Sequence, residues 1–298
     1  MTRALRPIDR RALFASGAAA ALLAATGVSA GPSPVRGGRL RMALSGASRS
    51  DAFDVRFSQG LFMQVAMAGM VFDTLTEVGA DGTLRGELAA RWQGSADARV
   101  WHIDLRPDVT FHNGAPFTAA DVLASFALHR DTILSDVADV DAVTADQIRI
   151  TLTGPDPDFP YRLSAPHLVI YPAKHMAEAM SGGIGTGLYQ VHKFLPGRQL
   201  IGQRVDQHYK DGEAGWFDRV ELVSVPAEMV RAEALRDGYV DAVDLTEADL
   251  LEGLAHVALL PDSKQITSAA TVNLHMPQMV GTRAPLDNLR AAERWWMG

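Results

Sequence analysis

Apolar and polar residues alternate with a period of two at Trp101-His102-Ile103-Asp104-Leu105 and again at Ile148-Arg149-Ile150-Thr151-Leu152. That period puts one face of each segment in a core and the other in water, and predicts two half-buried strands. Arg39 to Leu44 reads as an earlier strand, closed by Ser45-Gly46. Between the alternating segments lies the best-marked helix start in the chain. Thr118 is placed to cap, Asp121 holds the third helical position and Phe117 can staple onto Val122, so a helix is predicted from there to about Arg130. Gln59 to Val71 is apolar, and Met63, Met67 and Met70 recur at i, i+4 and i+7. That spacing predicts a helix that packs its methionines inward.

The second half is punctuated differently. Pro155-Asp156-Pro157 breaks the chain and marks a boundary. His167 to Ile170 is continuously apolar, the pattern of a strand covered on both faces. The glycine-rich turn Gly182 to Gly187 leads into a predicted hairpin over Leu188 to Arg204. Val220 to Val225 reads as a strand, followed by a helix opening at Pro226 and closing at Gly238, then a strand over Val240 to Val243. Glu228 early and Arg236 late suit the helix dipole. Strand, helix and strand in close succession form a crossover unit, which predicts an α/β fold.

The first 30 residues read as an address. Arg10-Arg11 precede an alanine-rich apolar run from Ala12 to about Ala25, and Val28-Ser29-Ala30 offers small residues for cleavage. The run is short for a bilayer span, and the paired arginines predict twin-arginine export over an ordinary secretory signal. Removing residues 1–30 takes away four arginines and Asp9 and leaves 24 basic and 34 acidic residues, a charge of −10. Such a balance lacks the basic patch that nucleic acid or an anionic membrane needs, so neither is expected as a partner. The chain has no cysteine. The core must therefore hold the fold without disulfides, and neither a cysteine nucleophile nor a lipid anchor on cysteine is expected.

Catalytic signatures are sparse. There is no H-E-x-x-H, no G-x-S-x-G, and no tight His/Asp cluster among nine histidines. Gly183, Gly185 and Gly187 alternate but do not make a dinucleotide fingerprint. No catalytic residue, metal or cofactor is assigned.

Five stretches carry a resemblance. Val71-Phe72-Asp73-Thr74-Leu75, then Trp101 to Arg106, then Val109-Thr110-Phe111-His112-Asn113-Gly114-Ala115-Pro116-Phe117-Thr118-Ala119-Ala120-Asp121-Val122 are followed by Gly185-Thr186-Gly187-Leu188-Tyr189 and Leu235-Arg236-Asp237-Gly238-Tyr239-Val240-Asp241-Ala242. In order and spacing this resembles the oligopeptide/dipeptide/nickel-binding family of extracellular solute-binding proteins, family 5. The chain departs from the family pattern at Leu188, where proline is usual, and at Lys210, where tryptophan is usual.

The resemblance implies an α/β, periplasmic binding protein-like fold of the type II clamshell kind, with a mixed sheet and most of the second lobe missing. It divides the chain into a signal peptide (1–30), a disordered linker (31–38), a first-lobe region (39–276) with an inserted subdomain at about 55–165, and the start of a second lobe (277–298). It implies a soluble periplasmic monomer without a lipid anchor, holding a peptide or small solute for an ABC permease. Weak ligand binding is expected of a chain that carries about half a cleft. Ser45, Phe53, Thr186, Gly187, Tyr189 and Asn273 are the implied ligand contacts. Two other readings stay open, a non-transporting remnant or periplasmic interaction module and an exported hydrolase.

Overall fold

The computed structural model describes residues 36–57, 60–79 and 83–245, together with the backbone of 257–259 and 274–277. The proposed signal peptide, most of the linker and Asn273 lie outside the described residues.

Strand β1 (Arg39–Leu44) opens the fold. Helix α1 (Leu61–Ala66) follows and widens into a π-helical turn over Met67–Val71. Met63, Met67 and Met70 are all buried there, as their spacing predicts. A short pair, β2 (Thr76–Val78) and β3 (Leu84–Gly86), leads to β4 (Ala89–Gly94) and β5 (Val100–Leu105). Helix α2 (Ala119–Ala127) comes next, then β6 (Val137–Thr144) and β7 (Gln147–Leu152). The start of α2 is fixed as its sequence suggests: the Thr118 N–H and hydroxyl both donate to Asp121 Oδ2, at 2.7 and 3.0 Å. It ends three residues before Arg130 and passes into turns in which the Leu134 N–H reaches the His129 carbonyl. Within it the Ser125 hydroxyl donates back to the Asp121 carbonyl, a bond that competes with regular helix.

The short helices α3 (Phe159–Arg162) and α4 (Met176–Gly182) precede the hairpin β8 (Tyr189–Leu195) and β9 (Gln199–Arg204). Then come β10 (Arg219–Ser224), α5 (Glu228–Arg236), β11 (Ala242–Asp244), β12 (Val257–Leu259) and β13 (Leu274–Pro277).

Among the described residues the strands form a seven-stranded sheet of order β12-β13-β11-β1-β10-β9-β8, a four-stranded sheet of order β4-β5-β7-β6, and the pair β2-β3. In the large sheet β1 runs parallel to both β10 and β11, so the crossover through α5 steps over β1. The four-stranded sheet is antiparallel throughout, with Trp101, Ile103 and Leu105 opposite Ile150, Ile148 and the β4 residues. Its inward positions are buried and its outward positions are polar, which is the alternation read from sequence.

Among the described residues two large apolar cores result, beside a smaller cluster of Ala43, Ala232, Leu235, Val240, Val243 and Leu245. One gathers Met42, Leu44, Phe53, Met63, Phe72, Tyr171, Tyr189 and Leu222 under the large sheet. The other gathers Trp101, Ile103, Phe111, Val122, Phe126, Ile148, Ile150 and Phe159 under the small one. The break at Pro155-Asp156-Pro157 does not separate them, because Phe159, Leu163 and Leu168 beyond it still pack in the second core.

His167 to Ile170 is not a ladder strand, contrary to its apolar pattern. Pro166–Leu168 is a 3-10 turn, Val169 after it is extended, and 169–171 belong to no strand. Leu168 and Ile170 enter the second core while Val169 and Tyr171 enter the first. The segment is apolar on both sides because it runs along the seam between two cores.

Candidate ligand-binding site

Three strand ends converge at the carboxyl edge of the parallel triplet. The Ser45 N–H and hydroxyl donate to the two oxygens of Asp244, at 2.9 and 2.6 Å. The Val225 N–H donates to the Leu44 carbonyl at 3.0 Å. Arg231, buried on α5, donates to the carbonyls of Asp244, Val225 and Pro226 at 2.8, 2.7 and 2.9 Å, and its Nε lies 3.2 Å from Asp244 Oδ1. One guanidinium thus joins the ends of β10 and β11, and Asp244 carries the link on to β1. In open α/β sheets ligands bind outside the carboxyl ends of the strands, where neighbouring connections leave in opposite directions. Ser45 follows the carboxyl end of β1, which is parallel to both of its neighbours.

The loop after Ser45 is anchored inward. Phe53 is fully buried, with its ring 4.8 Å from that of Phe194 and 6.2 Å from that of Phe72. The Tyr171 hydroxyl donates to the Phe53 carbonyl at 2.6 Å and accepts from the Val55 N–H at 3.2 Å.

The glycine-rich turn is built by close approach. A Cβ on Gly185 would stand 1.9 Å from the Val71 carbonyl oxygen, and one on Gly187 would stand 2.4 Å from that of Met70. No side chain fits either position, so the turn can press against the π-helical segment only with glycine. His112, from the Phe111–Gly114 turn, locks onto it. Its Nδ1 accepts from the Gly185 N–H at 3.4 Å, which leaves Nε2–H to donate to the Gly187 carbonyl at 2.8 Å. Burial lowers the His112 pKa, in keeping with a neutral ring. His208 is arranged alike: Nδ1 accepts from the Lys210 N–H at 3.1 Å and Nε2 donates to the Thr186 carbonyl at 2.9 Å. Thr186 is buried and its hydroxyl donates to Asp73 at 3.0 Å. Tyr189 is buried too, donating to the Phe217 carbonyl at 2.9 Å.

The six residues therefore fall in separate places. Thr186 and Gly187 share the wall of a groove of about 390 Å³ with His112, Gln190, Gln203 and His208. Ser45 stands at the strand-end edge, and the side chains of Phe53 and Tyr189 lie in the first core. Among the described residues no group of three or more His, Asp or Glu is placed to hold a metal ion.

Behind the groove lies a charged cluster that sequence reading did not assemble. Lys210 is buried, and its ammonium contacts Glu87 Oε1, with Glu77 Oε2 at 3.3 Å and Asp73 Oδ1 at 3.7 Å. Burial works against all these charges. For Asp73 the Lys210 ammonium and the His208 ring outweigh it and hold the carboxyl well below its usual range. For Glu87 burial wins and pushes the pKa up to about 7, with the Asp73 charge adding to the rise and Lys210 opposing it. For Lys210 the attraction of Glu87 and Asp73 overcomes burial, and its pKa is raised. The one signal in the sequence was Lys210 itself, a charge standing where the resembling family has an aromatic residue.

The sequence profile of the bacterial extracellular solute-binding proteins, family 5 Middle, matches residues 83–291. The nickel-binding periplasmic protein of Escherichia coli K12 is 27% identical over 192 residues, covering 60% of this chain and 36% of that protein. The HTH-type transcriptional regulator SgrR of Salmonella typhimurium LT2 is 31% identical over 139 residues, covering 45% and 25%. Among solved structures, the binding protein AgaA of A. tumefaciens R10, in complex with agropinic acid, superposes with a TM-score of 0.67 and 28% identity, covering 75% of this chain and 48% of that one. The chain spans less than half the length of each of these three relatives.

Proposed function

The chain belongs to the bacterial extracellular solute-binding proteins of family 5, and from that premise we propose that it serves as the periplasmic substrate-binding component of an ABC importer, capturing a peptide or similar small solute between two lobes. The observation that carries this reading is the parallel triplet β10-β1-β11, whose carboxyl ends meet at Ser45, Val225 and Asp244. A solute bound at that edge is recognised by polar groups at the strand ends, and closing a second lobe over it signals the loaded state to the permease. Ser45 is the proposed contact at the edge, with Asn273 on the chain approaching β13. Thr186 and Gly187 are proposed as a polar wall, and Phe53 and Tyr189 as the residues that hold the loop and turn in place. The twin-arginine signal and the monomeric state belong to the same proposal.

Isothermal titration of the purified chain with a panel of dipeptides, tripeptides, nickel–histidine and opines tests it. Saturable binding of one class, weakened about tenfold or more by Ser45→Ala, is the expected result. No saturable binding to any member, or turnover of a panel member, would remove the reading. A second reading, a solute-sensing module with no permease, is favoured by the identity to a protein named as a transcriptional regulator. Failure of a loaded chain to stimulate the cognate permease in proteoliposomes would favour it.

A further inference from the structure

The hydrogen-bond count around Thr74 is one proton short if Glu87 is ionised. The Thr74 hydroxyl has one hydrogen, yet two acceptors stand within bonding distance: the Thr76 carbonyl at 2.5 Å and Glu87 Oε2 at 2.8 Å. A carbonyl has no proton to return. With a carboxylate at Glu87, one of the two contacts sets lone pair against lone pair in a buried place. A carboxylic acid meets every contact at once. Its Oε1 accepts from Lys210, and its Oε2 accepts from the Thr74 N–H at 2.7 Å. The Oε2 hydroxyl donates to Thr74 Oγ1, leaving the threonine hydrogen for the Thr76 carbonyl. We infer that Glu87 is held as a protonated acid at the seam between the two cores, and that its proton is a structural part whose loss loosens the seam.

The charges around it agree. Asp73 faces Lys210 from the segment before β2, and Glu77 faces it from β2 itself. Arg106 donates to the Glu87 backbone carbonyl and lies 5.0 Å over the Tyr209 ring. His208 lies 3.7 Å from Asp73, with its Nδ1 accepting from the Lys210 N–H and its Nε2 directed at the Thr186 carbonyl. Arg85 stands opposite Glu77 in the β2–β3 pair, and a proton on Glu87 removes one of the three carboxylate charges around Lys210. The position matters because Val71 and Phe72 pack in one core and Leu75 in the other, so Asp73 and Thr74 are where the chain crosses between them.

A pKa raised from 4.5 to about 7 means that the folded chain keeps a proton the unfolded chain releases. The stabilisation is fully present below 4.5 and is lost as pH rises through about 7. Thermal and urea unfolding of the full chain at pH 5 and pH 8 tests the inference with Glu87→Gln, whose amide mimics the neutral acid. The variant's folding constant, divided by that of the wild type, is expected to rise roughly a hundredfold between the two values. A ratio that stays flat or falls would overturn the inference. Should the variant fail to fold, carbon-13 carboxyl NMR of the wild type decides. A glutamate resonance titrating near neutrality supports the protonated acid, and titration of every glutamate near its ordinary value overturns it.

Discussion

At the strand-end edge Asp244 meets one guanidinium and one serine, while at the seam Lys210 meets three carboxyl groups. The edge cluster is matched, one charge to one, and its remaining donors end on backbone carbonyls. The seam cluster packs three carboxyl groups around one buried ammonium. Burial makes each added charge costly, and a proton on Glu87, whose Oε2 stands against a Thr74 hydroxyl already committed to the Thr76 carbonyl, relieves it. The contrast sets a one-to-one ion pair beside a cluster built on one shared cation. Charge matching, not the number of contacts, separates them.

Removing the centre of the seam cluster gives the largest effect. Lys210→Met removes the ammonium that Asp73, Glu77 and Glu87 share and is expected to cost about 3–5 kcal/mol at pH 7 by urea unfolding. Part of that loss returns as the pH is lowered and the carboxyls protonate. A loss under about 1 kcal/mol would show that the seam is not held by charge. Arg231→Ala at the edge cluster is next. Three carbonyls lose a donor and Asp244 keeps Ser45 but loses its guanidinium, for about 2–3 kcal/mol. A cost equal to that of Lys210→Met would erase the distinction between the two clusters. The smallest effect sharpens it by control. Arg149 and Asp141 pair on the outer face of the small sheet, with side chains 49% and 39% exposed. Arg149→Ala is expected to cost less than about 1 kcal/mol and to fade further in high salt.

Much of the fold was legible because its signals are local. Trp101 to Leu105 and Ile148 to Leu152 alternate and became paired strands, and Thr118 with Asp121 marked the start of α2. The glycines at 185 and 187 pointed to a tight turn, although nothing nearby in sequence says that they press on Val71 and Met70. His167 to Ile170 misled because a run buried on both sides looks the same whether sheets or two cores cover it. Of the site, Thr186 and Gly187 were found through the turn that carries them. The seam cluster was not, since Asp73, Glu77, Glu87 and Lys210 lie on three separate segments and meet only after both cores form.

The sequence by itself determined the strands with one wet face, the capped helix, the crossover through α5 and the family, because each depends on spacings of a few residues or on motifs in a fixed order. Only the tertiary structure decided which charges share a space, which histidine nitrogens carry the proton, and that Glu87 and Lys210 meet. Those outcomes follow from distance and from the exclusion of water, and neither exists until residues more than a hundred positions apart are brought into contact.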